Sequence, residues 1–159
     1  MTNKDVLKQE FDLLRTELIS KYDELGMRAS GKWADSLAVE VTDLTGVLKG
    51  LNYSEQLESG RGKTESGGDG SVLKAIEEWI DDKGIKPLEE KLSISSLAYL
   101  IARKIHREGY DRKEHGGLEL VSSVITPERI QRIIDRVSEF NVNSFVSDIE
   151  NIFKEFETA

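Results

Sequence analysis

The chain has no cysteine, which removes disulfides, thiolate nucleophiles and cysteine-held zinc together and fits a reducing compartment. No apolar run approaches the roughly 20 residues that span a bilayer. The opening stretch Met1 to Gln9 is polar and unlike an export signal, so a soluble protein made in a cytoplasm, with no membrane contact, is expected. Asn52-Tyr53-Ser54 fits a glycosylation pattern that means little without such a signal. There is no long basic run, and the formal net charge is −8. A free duplex-binding module carries a clustered Lys/Arg footprint, so specific nucleic-acid binding is not expected. Only two histidines and two prolines are present.

What is present suits one domain over residues 1–159. Hydrophobic residues make up 38% and charged ones 33%, a balance that points to exposed helix faces or to surface buried in an assembly. Residues 3–27 read as one amphipathic helix, with Leu7, Phe11, Leu14, Leu18, Tyr22 and Leu25 on a stripe, Asn3 as cap and Gly26 as stop. A hairpin over 36–53 follows, with Leu37, Val39 and Val41 inward on its first strand. Asp43 to Gly46 forms the turn, with Gly46 available for a positive φ angle, and Val47, Leu51 and Tyr53 share a face of the second strand. Two strands alone are marginal in water and need helices over one face.

Two helices fit that need. One is capped by Ser71, buries Val72, Ile76, Trp79 and Ile80, and ends at Gly84; Pro87 interrupts the connector after it. The other is capped by Ser93 or Ser95, presents Leu97, Ala98, Ile101, Ala102 and Ile105, and ends at Gly109. Residues 118–125 fit a strand or a helical turn equally. Thr126-Pro127-Glu128 opens a helix carrying Ile130, Ile133, Ile134, Val137 and Phe140. Asn141 to Asn143 breaks that pattern, and a last helix carries Phe145, Ile149, Ile152, Phe153 and Phe156. The expected fold is α+β, mostly helical, with a small antiparallel sheet covered by helices, a core over 30–109 and a C-terminal helical region over 118–157.

No catalytic constellation is legible. Gly62-Lys63-Thr64 invites a phosphate-loop reading, but position 57 is Leu57 rather than glycine and no helix opens at the Lys-Thr. His106 and His115 are nine residues apart across a helix end and a loop, a spacing that aims no pair of rings at one metal. The carboxylate pairs Glu77-Glu78, Asp81-Asp82 and Glu89-Glu90 fall on polar faces or in a connector, where water keeps them ionised. No nucleophile elbow occurs. Neither an enzyme nor a bound cofactor or metal is expected.

The order of segments says more. Ala29-Ser30-Gly31-Lys32-Trp33-Ala34-Asp35-Ser36-Leu37 precedes the hairpin, which leads to Tyr53-Ser54-Glu55-Gln56-Leu57-Glu58-Ser59-Gly60-Arg61. Then come Ala75-Ile76-Glu77-Glu78-Trp79-Ile80, Lys83-Gly84-Ile85 and Leu97-Ala98-Tyr99-Leu100-Ile101-Ala102-Arg103-Lys104-Ile105 before Gly109. This succession, from about Ser30 to Gly109, resembles the head–tail joining and tail-completion family of tailed bacteriophages. It departs from that pattern where a glycine-rich stretch, rather than proline, follows Gly60-Arg61, and where Tyr110, rather than a small residue, follows Gly109.

The resemblance implies a virion neck protein without enzymatic activity, forming a homo-oligomeric ring between portal and tail. Portal, adaptor or tail proteins are the implied partners. A negative charge suits a channel through which DNA slides without specific binding. Four residues are candidate contacts to a subunit or partner: Arg61, Lys63, Trp33 and Tyr110. Arg61 suits a bidentate bond to a carboxylate. Five glycines between Gly60 and Gly70 leave the loop around Lys63 free to order on a partner. Trp33 either closes the core or anchors a neighbour. The alternative function is a small non-enzymatic binding or regulatory module acting through its C-terminal helices.

Overall fold

The computed structural model describes residues 1–65, 70–88, 91–112, 114 and 119–157. Along the chain run α1 (Asn3–Glu24), α2 (Lys32–Ser36), β1 (Ala38–Val41), β2 (Gly46–Lys49), α3 (Ser54–Ser59), β3 (Gly60–Arg61), α4 (Ser71–Lys83), α5 (Ile94–Glu108), β4 (Tyr110–Asp111) and α6 (Pro127–Glu157). The fold is α+β and mostly helical, with β1 paired to β2 and β3 to β4, both antiparallel. Two compact units result: Met1–Lys21, Leu37–Gly50 and Val121–Ala159 in one, Tyr22–Ser36 and Leu51–Leu120 in the other. The core expected over 30–109 is thus divided, with the hairpin in the first unit and α4 and α5 in the second.

In the first unit α1 starts on a reciprocal cap that involves Thr2 rather than Asn3. The Thr2 N–H donates to Asp5 Oδ2 at 2.7 Å, and the Asp5 N–H donates to Thr2 Oγ1 at 3.2 Å. Val6, Leu7, Leu14 and Leu18 are buried along the helix, spaced to share one face. The hairpin is shorter than the expected 36–53. Val39 faces Leu48 and Val41 faces Gly46, and these are the half-buried positions, whereas Val47 pairs with Glu40 on the open side. The second strand is therefore one residue out of phase with the sequence expectation, which puts Val47 outward. Leu51 lies beyond the strand and is exposed. Gly46 is needed for space rather than for a positive φ: a β-carbon there would strike the ring of Phe11 on α1.

The C-terminal region departs most. Residues 127–157 form one helix of 31 residues, not two. Nothing at Asn141–Asn143 breaks a backbone, since neither glycine nor proline stands there. Its first turn is fastened to α1 by ions. Arg129 is buried, its Nε donating to Glu17 Oε2 at 2.8 Å and its Nη1 to Glu10 Oε2 at 3.0 Å. Arg136 reaches the other oxygen of Glu10 at 3.0 Å. Glu10 is as buried as the leucines around it, so α1's inner face is not the purely apolar stripe expected. Ahead of α6, residues 119–125 are bends around a turn at 122–124: the N–H groups of Val124 and Ile125 both donate to the carbonyl of Val121. Neither the strand nor a regular helix forms among them.

In the second unit, α1 and α4 end alike. Gly26 and Gly84 both take φ of 63°, and six-to-one bonds run from Met27 N–H to Tyr22 O and from Ile85 N–H to Ile80 O. The left-handed residue lets the last carbonyls be satisfied, and glycine adopts it without a β-carbon clash. Ser93 caps α5 by accepting from the Ser96 N–H, while the cap position of α4 is Gly70 rather than Ser71. α4 and α5 pack together with Ile80, Ala98 and Ala102 buried. Small residues occupy the tightest part of α5, so Leu97, Ile101 and Ile105 flank it half-buried. Trp79, expected inside, is 40% exposed.

Candidate functional site

Gly60-Arg61, just after α3, pairs with Tyr110-Asp111, just after α5, and sets Arg61 opposite Tyr110. Two glycines make this possible. Gly60 has φ of 97° and Gly109 φ of 78°, and a β-carbon at the first would strike the Tyr110 carbonyl, at the second the carbonyl of Arg61 at 2.6 Å. Both positions therefore require glycine twice over, for conformation and for closeness. Beside the ladder, the Thr64 N–H donates to the His106 carbonyl at 2.9 Å, which ties the segment after β3, where Lys63 lies, to the end of α5.

A cleft of about 590 Å³ opens next to this ladder, with Tyr53, Gln56, Arg61 and Tyr110 on its polar side and Val72, Ile76 and Ile105 on its apolar side. Burial holds the Tyr53 hydroxyl above its ordinary pKa, so it stays a protonated donor. Among the described residues, no His, Asp, Glu or Lys lines this cleft. A second cleft of about 300 Å³ shares Arg61, Ser71 and Val72 and extends to Tyr99, Arg103 and His106. Thr64 Oγ1, from a residue that borders it, is a buried atom with no hydrogen-bond partner among the described residues. The arrangement suits the seating of a side chain or short segment: an apolar floor gives area, and one guanidinium with several hydroxyls gives direction.

Of the four expected contact residues, the structure brings Arg61 and Tyr110 together and leaves Lys63 exposed two residues further on. Trp33 is different and is corrected to a core residue, 2% exposed. Its ring lies 4.7 Å from that of Tyr22, and Arg28 stands 5.9 Å over the other ring. Its Nε1–H donates to Ser54 Oγ at 2.9 Å, and Ser54 Oγ–H donates to the Leu51 carbonyl at 2.6 Å. A buried indole with its one donor satisfied has nothing left to offer a partner. The loop residues 66–69, the pair Glu89-Glu90 and His115 lie outside the described residues.

The ladder itself was not anticipated. Its signal was present as two glycines, each closing a helix, yet nothing in their separate contexts says that they meet. Among the described residues no three His, Asp or Glu side chains converge as a metal site would require, and no helix is long and apolar enough to cross a membrane. Comparison of the chain with protein-family models, with curated proteins and with solved structures returns no match.

Proposed function

We propose that this chain is a structural subunit of a tailed-phage neck, forming or completing the ring that joins the portal-bound head to the tail, without catalysis. The reading rests on the succession of segments from Ser30 to Gly109 that resembles that family. The observation that carries it furthest is the Arg61–Tyr110 ladder, because it rigidifies one end of the segment the resemblance singles out. A docking site on rigid backbone loses little entropy when a partner binds. The cleft beside it offers an apolar seat and a guanidinium fork for a neighbour's carboxylate. The chain's charge of −8 favours a channel lining from which DNA phosphates are repelled.

The test uses the purified chain with the portal and tail-tube proteins encoded by neighbouring genes. Negative-stain microscopy and native mass spectrometry should find closed rings of this chain, alone or seated on the portal. Arg61→Glu with Lys63→Glu should keep the unfolding midpoint and lose the portal complex at least about tenfold in affinity, a change of roughly 1.4 kcal/mol. A chain that neither closes rings nor binds either neighbour would sink the reading.

A further inference from the structure

Beyond Phe140, every residue from 141 to 157 of α6 is exposed, including a run of large apolar side chains. Val142, Ile149 and Phe156 recur at seven residues, as do Phe145 with Ile152 and Val146 with Phe153. Their exposures run from 38% at Ile149 to 76% at Phe156. A strict seven-residue repeat keeps a seam turned toward a partner helix, whereas a stripe covered by its own domain needs only a loose period. We infer that this half of α6 is a self-association surface, on which copies of the chain pack the same segment side by side in parallel.

Area favours a second copy, and charge bears on how the copies are oriented. The seven side chains expose on the order of 700 Å², close to the ~800 Å² per partner of a stable interface. Asp148 and Glu155 border one edge of the stripe, while Val146 and Phe153 form the other. In a parallel pair the acidic edge of one helix lies across from the apolar edge of its mate. An antiparallel pair would set the acidic edges against each other. Glu150 and Glu157 lie just outside Val146 and Phe153, further from the centre of the seam, and Lys154 stands on the face turned away. Isoleucine at both seam positions, with a stripe three positions wide, also accommodates more than two helices. The inference needs only this helix face, so it holds or fails independently of the neck reading.

Sedimentation equilibrium of the full chain should show a multiple of 17.9 kDa that rises with concentration. Phe145→Asp with Phe153→Asp should return it to the single-chain mass while circular dichroism stays unchanged. Salt should leave self-association intact or tighten it, because like charges are screened; weakening in salt would show that ion pairs elsewhere, and not this apolar seam, hold the copies together. The absence of native cysteine allows a sharper reading. Val142→Cys alone and Phe156→Cys alone should each oxidise to a covalent dimer, since parallel copies bring identical seam positions within disulfide range. Cross-linking only when the two variants are mixed would overturn the parallel arrangement. A wild-type chain that sediments as a single copy at every concentration would overturn the inference altogether.

Discussion

The two halves of α6 are both amphipathic, yet they spend their apolar side chains differently. The first half, with Ile133, Val137 and Phe140 half-buried, is locked to α1 by Arg129, Glu10 and Glu17. The second half buries none of its residues from 141 onward. At about 100° per residue the two apolar stripes point roughly a third of a turn apart. One continuous helix thus carries two faces with separate duties. The first completes a folded unit, and the second leaves surface for something else.

The largest break in that contrast should come at Arg129. Arg129→Met removes a buried cation and leaves the Glu10 carboxylate buried beside a thioether, with Arg136, half in solvent, left to answer it. Breaking a buried pair from one side costs about 3–5 kcal/mol. Denaturant midpoints of the variant should fall accordingly. Glu17→Gln should cost far less, because Glu17 is 43% exposed and water replaces its partner. Equal losses for the two variants would refute the claim that Glu10 is the costly charge.

Much of this contrast could be read from sequence, and its misreading has a physical cause. The stripes on either side of Asn141 were legible. The interruption at Asn141 to Asn143 was taken as a break between two helices, but a helix ends where its backbone is capped or interrupted, and Asn141-Val142-Asn143 does neither. Helix stops at Gly26 and Gly84 were legible because the residue type itself carries the left-handed conformation. The phase of β2 was not, because four residues alternate equally well in either register and only Phe11, far off in sequence, decides that Gly46 faces inward. The ion cluster was hidden for a similar reason. Glu10 and Arg129 lie 119 residues apart, and each alone looks like an ordinary surface charge. The candidate site was half legible: Arg61 and Tyr110 were named separately, but their pairing depends on two distant glycines.

A smaller effect tests how the first half begins. Thr126 Oγ1 accepts from the Arg129 N–H at 3.2 Å, so Thr126→Ala should cost about 1 kcal/mol. The cost should also depend on pH. The Glu128 carboxyl sits below its ordinary pKa because its own backbone N–H and the Thr126 hydroxyl bond to the ionised form. A carboxylate with a lowered folded pKa stabilises above its unfolded value of 4.5 and loses that contribution as pH falls through the folded value. The thermal penalty of Thr126→Ala should therefore be larger at neutral pH than in strong acid. An equal penalty at both would show that Glu128 takes no part in the cap.

The smallest effect on the folded chain is expected in the second half, and it sharpens the contrast most. Phe145 and Phe153 are 67% and 64% exposed, so replacing both by serine removes little that the single chain buries. In dilute protein the midpoint of Phe145→Ser with Phe153→Ser should stay within about 0.5 kcal/mol of wild type. Raising concentration should then separate the two, because association favours the folded state by mass action and only the wild type keeps the seam. Melting curves over a hundredfold or so in concentration supply the measurement, with the wild-type midpoint climbing and the variant's flat. Should both climb together, association runs through another surface; should the variant already be destabilised when dilute, the second half is part of the fold and the difference between the halves disappears.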